Sequence, residues 1–144
     1  MVARAFLSWA LMLHTVHALD NGLGLKGPAM GWSSWNHFRD RISASLLREV
    51  ADAMVSSGLR DAGYTYLNID DGWQARRRNE TTHRLVPDPT KFPEGMAALA
   101  EYVHGKGLKL GIYTSRGDHT CLGRPGSRGY EALDAATFAE WGIE

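Results

Sequence analysis

The order of apolar runs along this chain constrains its fold more than any other feature. Short strand-like runs alternate with amphipathic stretches, and a glycine stands between each helix and the strand that follows. Residues 29–32 read as a first strand after the turn-prone pair Gly27-Pro28. Ser43 is the predicted N-cap of a helix that places Leu46, Val50 and Met54 beside Leu47, Ala51 and Val55 on one face. Gly58 and Gly63 break that pattern ahead of a strand over 64–69. Met96, Leu99, Ala100 and Val103 stand at helical spacing, predicting a second helix over 95–104 and, after Gly105-Lys106-Gly107, a third strand over 108–113. A third helix over 130–141 ends at Gly142, and Ile143 begins what reads as another strand.

Alternating units of this kind build parallel sheets with helical crossovers. The long segments, 70–93 and 114–129, follow strands, whereas the helix-to-strand connections are short. Barrels place their active sites in the loops after the strands, so this asymmetry favours a (β/α) barrel over its competitor, a doubly wound open sheet. A complete eight-stranded barrel takes about 250 residues. This chain has 144. The expected architecture is therefore α/β, the N-terminal half of a (β/α)8 TIM barrel truncated at the start of strand 4.

The first residues read as an export signal. Arg4 is the only charge ahead of an apolar run from Ala5 to Leu13, and Val16-His17-Ala18 offers small residues where a signal peptidase reads. That run is too short to span a bilayer, which needs about 20 residues. Residues 1–18 are thus the expected signal peptide and 19–144 the N-terminal, incomplete part of the barrel domain, with no membrane partner after cleavage. The expected destination is the exterior or the lumen of a lysosome or vacuole. A net charge of +0 and no basic cluster beyond Arg76-Arg77-Arg78 argue against a nucleic-acid partner. That triplet reads as a solvated loop. Asn79-Glu80-Thr81 in the same stretch is an N-glycosylation sequon. The single cysteine, Cys121, is either free or has its partner outside the chain.

The run Tyr64 to Trp73 carries the chemistry. Aromatic and β-branched residues end abruptly in Asp70-Asp71-Gly72-Trp73. Carboxylates accept hydrogen bonds from hydroxyls, and an indole face can cover the C–H surface of a sugar. Adjacent acids on a strand point to opposite faces, so both reach one pocket only if the chain has already turned, which Gly72 permits. Glycosidase carboxylates must flank the scissile bond, about 5–5.5 Å or 6.5–9.5 Å apart. Backbone neighbours are poorly placed for that, and clamping sugar hydroxyls is the better reading. Metal ligation is the rival, yet His37, His83, His104 and His119 show no ligand spacing with the carboxylates or Cys121. Trp32 and Trp35 lie three apart near a strand end, one a candidate for the core and one for the pocket. Tyr113 holds the place on the third strand that Asp70 holds on the second. Gly22-x-Gly24-x-x-Gly27 matches a dinucleotide fingerprint by letter, but Pro28 and a strand follow it where a helix is required.

With these residues assembled, the chain closely resembles glycoside hydrolase family 27, the α-galactosidase and α-N-acetylgalactosaminidase family. The resemblance rests on Leu19-Asp-Asn-Gly-Leu23, Met30-Gly-Trp-Ser-Ser-Trp-Asn36, Asn68-Ile-Asp-Asp-Gly-Trp73, Phe92-Pro-x-Gly-Met96, Lys106-Gly-Leu-Lys-Leu-Gly-Ile-Tyr113 and Thr120-Cys-x-Gly-x-Pro-Gly-Ser127, in order. It implies a retaining hydrolase of terminal α-D-galactosyl residues that needs no cofactor and no metal. An N-acetylgalactosamine or β-L-arabinopyranose specificity, or a non-catalytic galactose-binding product, are the alternatives. By position, Trp35, Asp70, Asp71 and Tyr113 match substrate-binding residues. Cys121 matches a loop cysteine that pairs with one just beyond the nucleophile. The family's nucleophile and acid/base match nothing in this chain and are expected beyond Glu144, so the 144 residues alone are expected to be inactive. One departure is Gly72, where many relatives carry a cysteine paired to another after strand one.

Overall fold

The computed structural model describes residues 30–144. The signal-peptide reading of 1–18 and the glycine motif at 22–27 lie outside the described residues. Three parallel strands run in chain order: β1 (Gly31–Ser33), β2 (Tyr66–Ile69) and β3 (Lys109–Ile112). The helices are α1 (Trp35–Phe38), α2 (Ala44–Ser56), α3 (Gly95–Gly105) and α4 (Glu131–Glu140). All three predicted long helices and all three strands are present. The single turn of α1 was not foreseen, because four residues are too few to show a period.

Register decides which face becomes core. Trp32, Leu67 and Leu110 stand level across the three strands, as do Ser33, Asn68 and Gly111. The first set faces the helices. There Leu67, Ile69 and Leu110 meet Leu47, Ala51 and Met54 of α2 and Met96, Leu99, Ala100 and Val103 of α3, all buried. Fully burying one such Leu or Met side chain stabilises the fold by about 1.5–3 kcal/mol. Trp32 belongs to this face and packs on Phe38, with ring centroids 5.9 Å apart. It is the core member of the tryptophan pair.

On the opposite face two glycines have no room for a side chain. A Cβ at Gly111 would lie 2.1 Å from Asn68 Oδ1, and one at Gly31 would lie 2.5 Å from the Tyr66 carbonyl oxygen. Ser43 caps α2 as predicted, its Oγ accepting from the Leu46 amide at 3.2 Å. Beyond Gly142 the chain lies beside β3, with the Glu144 N–H donating to Leu110 O at 3.1 Å, where the further strand was predicted.

The segment after β2 is more ordered than its three prolines suggested. It folds back as a hairpin-shaped excursion in which the Ala75 amide donates to Val86 O and the Asp88 amide to Trp73 O, each at 2.8 Å. Its arginine triplet is the solvated loop the sequence implied at Arg76 and Arg77, which are exposed, but not at Arg78. Arg78 is only 11% exposed and grips Asp134 of α4 with two hydrogen bonds of 2.7 and 2.6 Å. The same guanidinium donates to His83 O and Gly126 O and lies 4.2 Å over the Tyr130 ring. A charge this buried requires a full set of partners, and those partners belong to three separate segments. Asp134→Ala leaves that cation without its counter-ion and is expected to cost about 3–5 kcal/mol. The loss is read as a lowered urea midpoint at unchanged slope; a shift worth less than about 1 kcal/mol would contradict the role given to this pair.

Candidate functional site

Each candidate residue follows the C-terminal end of a strand. Ile69 stands opposite Ile112, and the Tyr113 amide donates to Ile69 O at 2.8 Å, so Asp70 and Tyr113 are level at the same end of β2 and β3. This is the placement read from the sequence. The chain turns sharply just beyond, at Gly72 with φ of 94°, where side chains other than glycine are strained. That turn separates the fates of the two acids.

Asp70 is half-buried and receives the Asp71 amide on Oδ1 at 2.7 Å. Its own amide donates to the Oγ of Ser34, a fully buried residue between β1 and α1, at 3.0 Å. Asp71 is 2% exposed. Its Oδ1 accepts from the Gly72 amide at 2.8 Å and its Oδ2 from the Leu122 amide at 2.9 Å. One carboxylate therefore pins the loop after β3 to the end of β2. Both acids retain acceptor capacity, since an ionised carboxylate offers about four lone-pair sites.

Tyr113 is half-buried, and its hydroxyl is held above the ordinary value of 10.0, first by burial and then by the neighbouring Cys121 thiol and Asp71, with Asp70 adding to the same field. The phenol is therefore a neutral donor set among acceptors. Cys121 is exposed and is the only cysteine of the chain, so no second thiol of these residues can pair with it.

Trp73 departs from the expectation. It is fully buried, with its ring 5.8 Å from Trp141 and 6.1 Å from Phe138 in edge-to-face contacts. Its indole N–H donates to Tyr113 O at 2.8 Å. The turn at Gly72 carries this ring into the core under α4, so it supports the tyrosine and offers no face to a ligand. Trp35 opens α1 and is half-buried, one residue past the serine that holds Asp70. Among the described residues no ring contact or hydrogen bond joins it to Asp70, Asp71 or Tyr113. Asn79 is exposed, and its Oδ1 accepts from the Thr81 and Thr82 amides at 3.0 and 2.8 Å.

Three supports had escaped the sequence reading. Ser34 positions Asp70. Buried Gln74 brings Oε1 to 3.3 Å from the Gly72 amide. Lys91 donates to Asp40 O at 2.6 Å and Gly72 O at 2.8 Å, tying together the loops after β1 and β2. An ideal Cβ at Gly72 would stand 3.0 Å from Asp40 Cβ, so the lysine staples a point of close approach. Nothing local in the sequence marks these contacts, because each joins residues brought together only by the sheet. Among the described residues no group of three His, Cys, Asp or Glu side chains gathers where one ion could sit, and no helix is long and apolar enough to cross a membrane.

The profile of the family described as Alpha galactosidase A matches residues 27–144. An alpha-galactosidase of Coffea arabica is 55% identical over 127 residues, 88% of this chain and 33% of that protein. The crystal structure of alpha-galactosidase I from Mortierella vinacea superposes with a TM-score of 0.79 at 48% identity, over 81% of this chain and 29% of its own. A Saccharomyces cerevisiae alpha-galactosidase solved with raffinose gives 0.81 at 43%, over 86% and 27%. This likeness resolves the open choice of fold: the three strands are part of a (β/α)8 barrel. Sequential strand order alone would also suit half of an open sheet. The chain spans about a third of the length of the curated relatives it matches.

The raised Tyr113 value carries a sign. An unfolded tyrosine ionises near 10.0, before the folded one, so this contribution to stability is complete below that pH and is lost as pH climbs through the folded value. Tyr113→Phe is therefore expected to show a smaller fall in guanidinium midpoint between pH 9 and 11 than the parent chain. Equal falls would contradict the burial of the hydroxyl among acceptors.

Proposed function

Because this chain belongs to the Alpha galactosidase A family, we propose that it supplies the sugar-gripping part of a retaining α-galactosidase acting on terminal, non-reducing α-D-galactosyl residues. One observation carries the reading: Asp70 and Tyr113 stand level just past the ends of adjacent parallel strands, and Asp71, next in the chain, ties the loop after β3 to the same place. That end of a parallel barrel is where active sites form. A galactosyl unit presents both donors and acceptors, and an acid pair beside a protonated phenol can meet each kind. Trp35 is the aromatic wall of this reading, carried by α1 next to Ser34.

Hydrolysis with retention needs a nucleophile and an acid/base about 5–5.5 Å apart on opposite sides of the anomeric carbon. Asp70 and Asp71 are successive residues engaged with backbone amides. They are assigned to binding, and the reacting pair is placed on strands beyond Glu144, where Cys121 is also proposed to find its disulfide partner. The apolar run Ala5–Leu13 after Arg4, followed by Val16-His17-Ala18, supports export, and the exposed sequon at Asn79 supports glycosylation on that route.

Two outcomes test the reading. The 144-residue chain is expected to give no turnover of an aryl α-galactoside, while a polypeptide that continues through the remaining strands does. Turnover by the short chain above a blank would refute the division of labour. In the longer polypeptide, Asp70→Ala removes a charge-assisted hydrogen bond and should weaken galactose binding by about 1.5–3 kcal/mol. Galactose inhibition constants unchanged in that variant would remove Asp70 from the clamp.

A further inference from the structure

A cavity of about 350 Å³ opens between the excursion after β2 and the loop after β3. Four arginines line it, Arg76, Arg77, Arg78 and Arg128, against a single carboxylate, Asp118. These arginines are not equivalent. Arg78 is neutralised by Asp134 beneath the cavity floor. Arg128 meets Asp118 at 2.8 Å, but both side chains are more than 60% exposed, a setting in which water screens the pair. Among the described residues neither Arg76 nor Arg77 forms an ion pair, and both are exposed. The cavity thus holds a standing excess of positive charge on a chain whose net charge is +0.

Its position gives that charge a meaning. Residues 118–126 form a small hairpin, with the Thr120 amide on Arg124 O and the Gly126 amide on Asp118 O, both 2.8 Å. The tip of this hairpin donates the Leu122 amide to Asp71. The next residue, Gly123, already lines the arginine cavity. A single turn of backbone therefore separates the acid pair from the arginines. Arg78 ties the floor together, donating to Gly126 O at 2.7 Å and lying 4.2 Å over the Tyr130 ring. Guanidinium forks bind oxyanions in bidentate fashion and are more weakly hydrated than ammonium groups, so they bind such groups well at a half-open surface.

We infer that this cavity is a subsite for an oxyanion, a sulfate ester or carboxylate, carried by the sugar chain next to a galactosyl unit held at Asp70 and Asp71. The inference rests on the galactoside reading above and adds the chemical class of the neighbouring unit. Arg76 and Arg77 grip the anion, and Tyr130 and Pro125 supply the apolar wall for the ring that bears it.

Titration of the longer polypeptide that continues through the remaining strands tests it with four probes: methyl α-galactoside, a neutral α-galactosyl disaccharide, the same disaccharide with a sulfate ester on its second sugar, and inorganic sulfate. The sulfated disaccharide is expected to bind about tenfold more tightly than the neutral one, a difference of about 1.4 kcal/mol. The gain should shrink as salt is raised, since exposed charges are screened. The double variant Arg76→Gln/Arg77→Gln should abolish the gain and leave methyl α-galactoside binding unchanged. Equal affinity for the two disaccharides, a gain that survives in the double variant, or inorganic sulfate binding as tightly as the sulfated sugar would each overturn the subsite. Failure of methyl α-galactoside to bind would instead strike the galactoside reading, and the subsite with it, a result distinct from equal binding of the two disaccharides.

Discussion

The buried pair between Arg78 and Asp134 holds the upper half of this structure together. Parallel strands this short cannot fix the long segments that follow them, since each ladder ends where the loop begins. The guanidinium closes that gap by meeting a helix carboxylate and two loop carbonyls at once. With Arg78 in place, the excursion after β2, the loop after β3 and the start of α4 share one anchor. A cation and anion so little exposed contribute modest net stability, but losing either partner leaves an uncompensated charge. The pair thus acts mainly by fixing one arrangement of the loops against its alternatives.

The same logic recurs at the acid pair on a smaller scale. Nothing in the sequence around Asp71 marks it as a tie between two loops. In the fold it accepts the Leu122 amide from 51 positions away and so brings the hairpin tip, with Cys121, alongside Tyr113. Lys91 does the equivalent for the loops after β1 and β2 by donating to two carbonyls. Side chains on one loop that satisfy backbone groups on the next are what turn three strand ends into a single surface. Acceptors held this way need little reorganisation when a ligand arrives, which is the physical basis of preorganised binding.

Gly72 is the point at which binding and core part company. Its left-handed conformation directs Asp71 toward the hairpin and sends Trp73 inward beneath α4. Asp70, before the turn, stays level with Tyr113 and keeps access to the surface. Four consecutive residues therefore divide between a surface acceptor, a buried tie, a hinge and a core aromatic. The arginine cavity follows from the same geometry. Once Arg78 is drawn down to Asp134, its two predecessors are left exposed, with no ion pair among the described residues.

Periodicity was enough to locate the helices and strands, because burial on one face repeats every 3.6 residues in α2 and α3 and every second residue in β2. It also placed Asp70 and Tyr113 level, since strands of similar length in successive units end at the same height. The same reading sent Trp73 to the ligand and Arg78 to the solvent, both wrongly. Each of those fates depends on a partner far along the chain: Phe138 and Trp141 for the indole, Asp134 for the guanidinium. Composition and spacing determine what a segment can form by itself. Which side chain becomes a tie, a core ring or an open charge is decided only when distant segments meet, because burial and counter-charge are properties of the assembled neighbourhood and not of the residue.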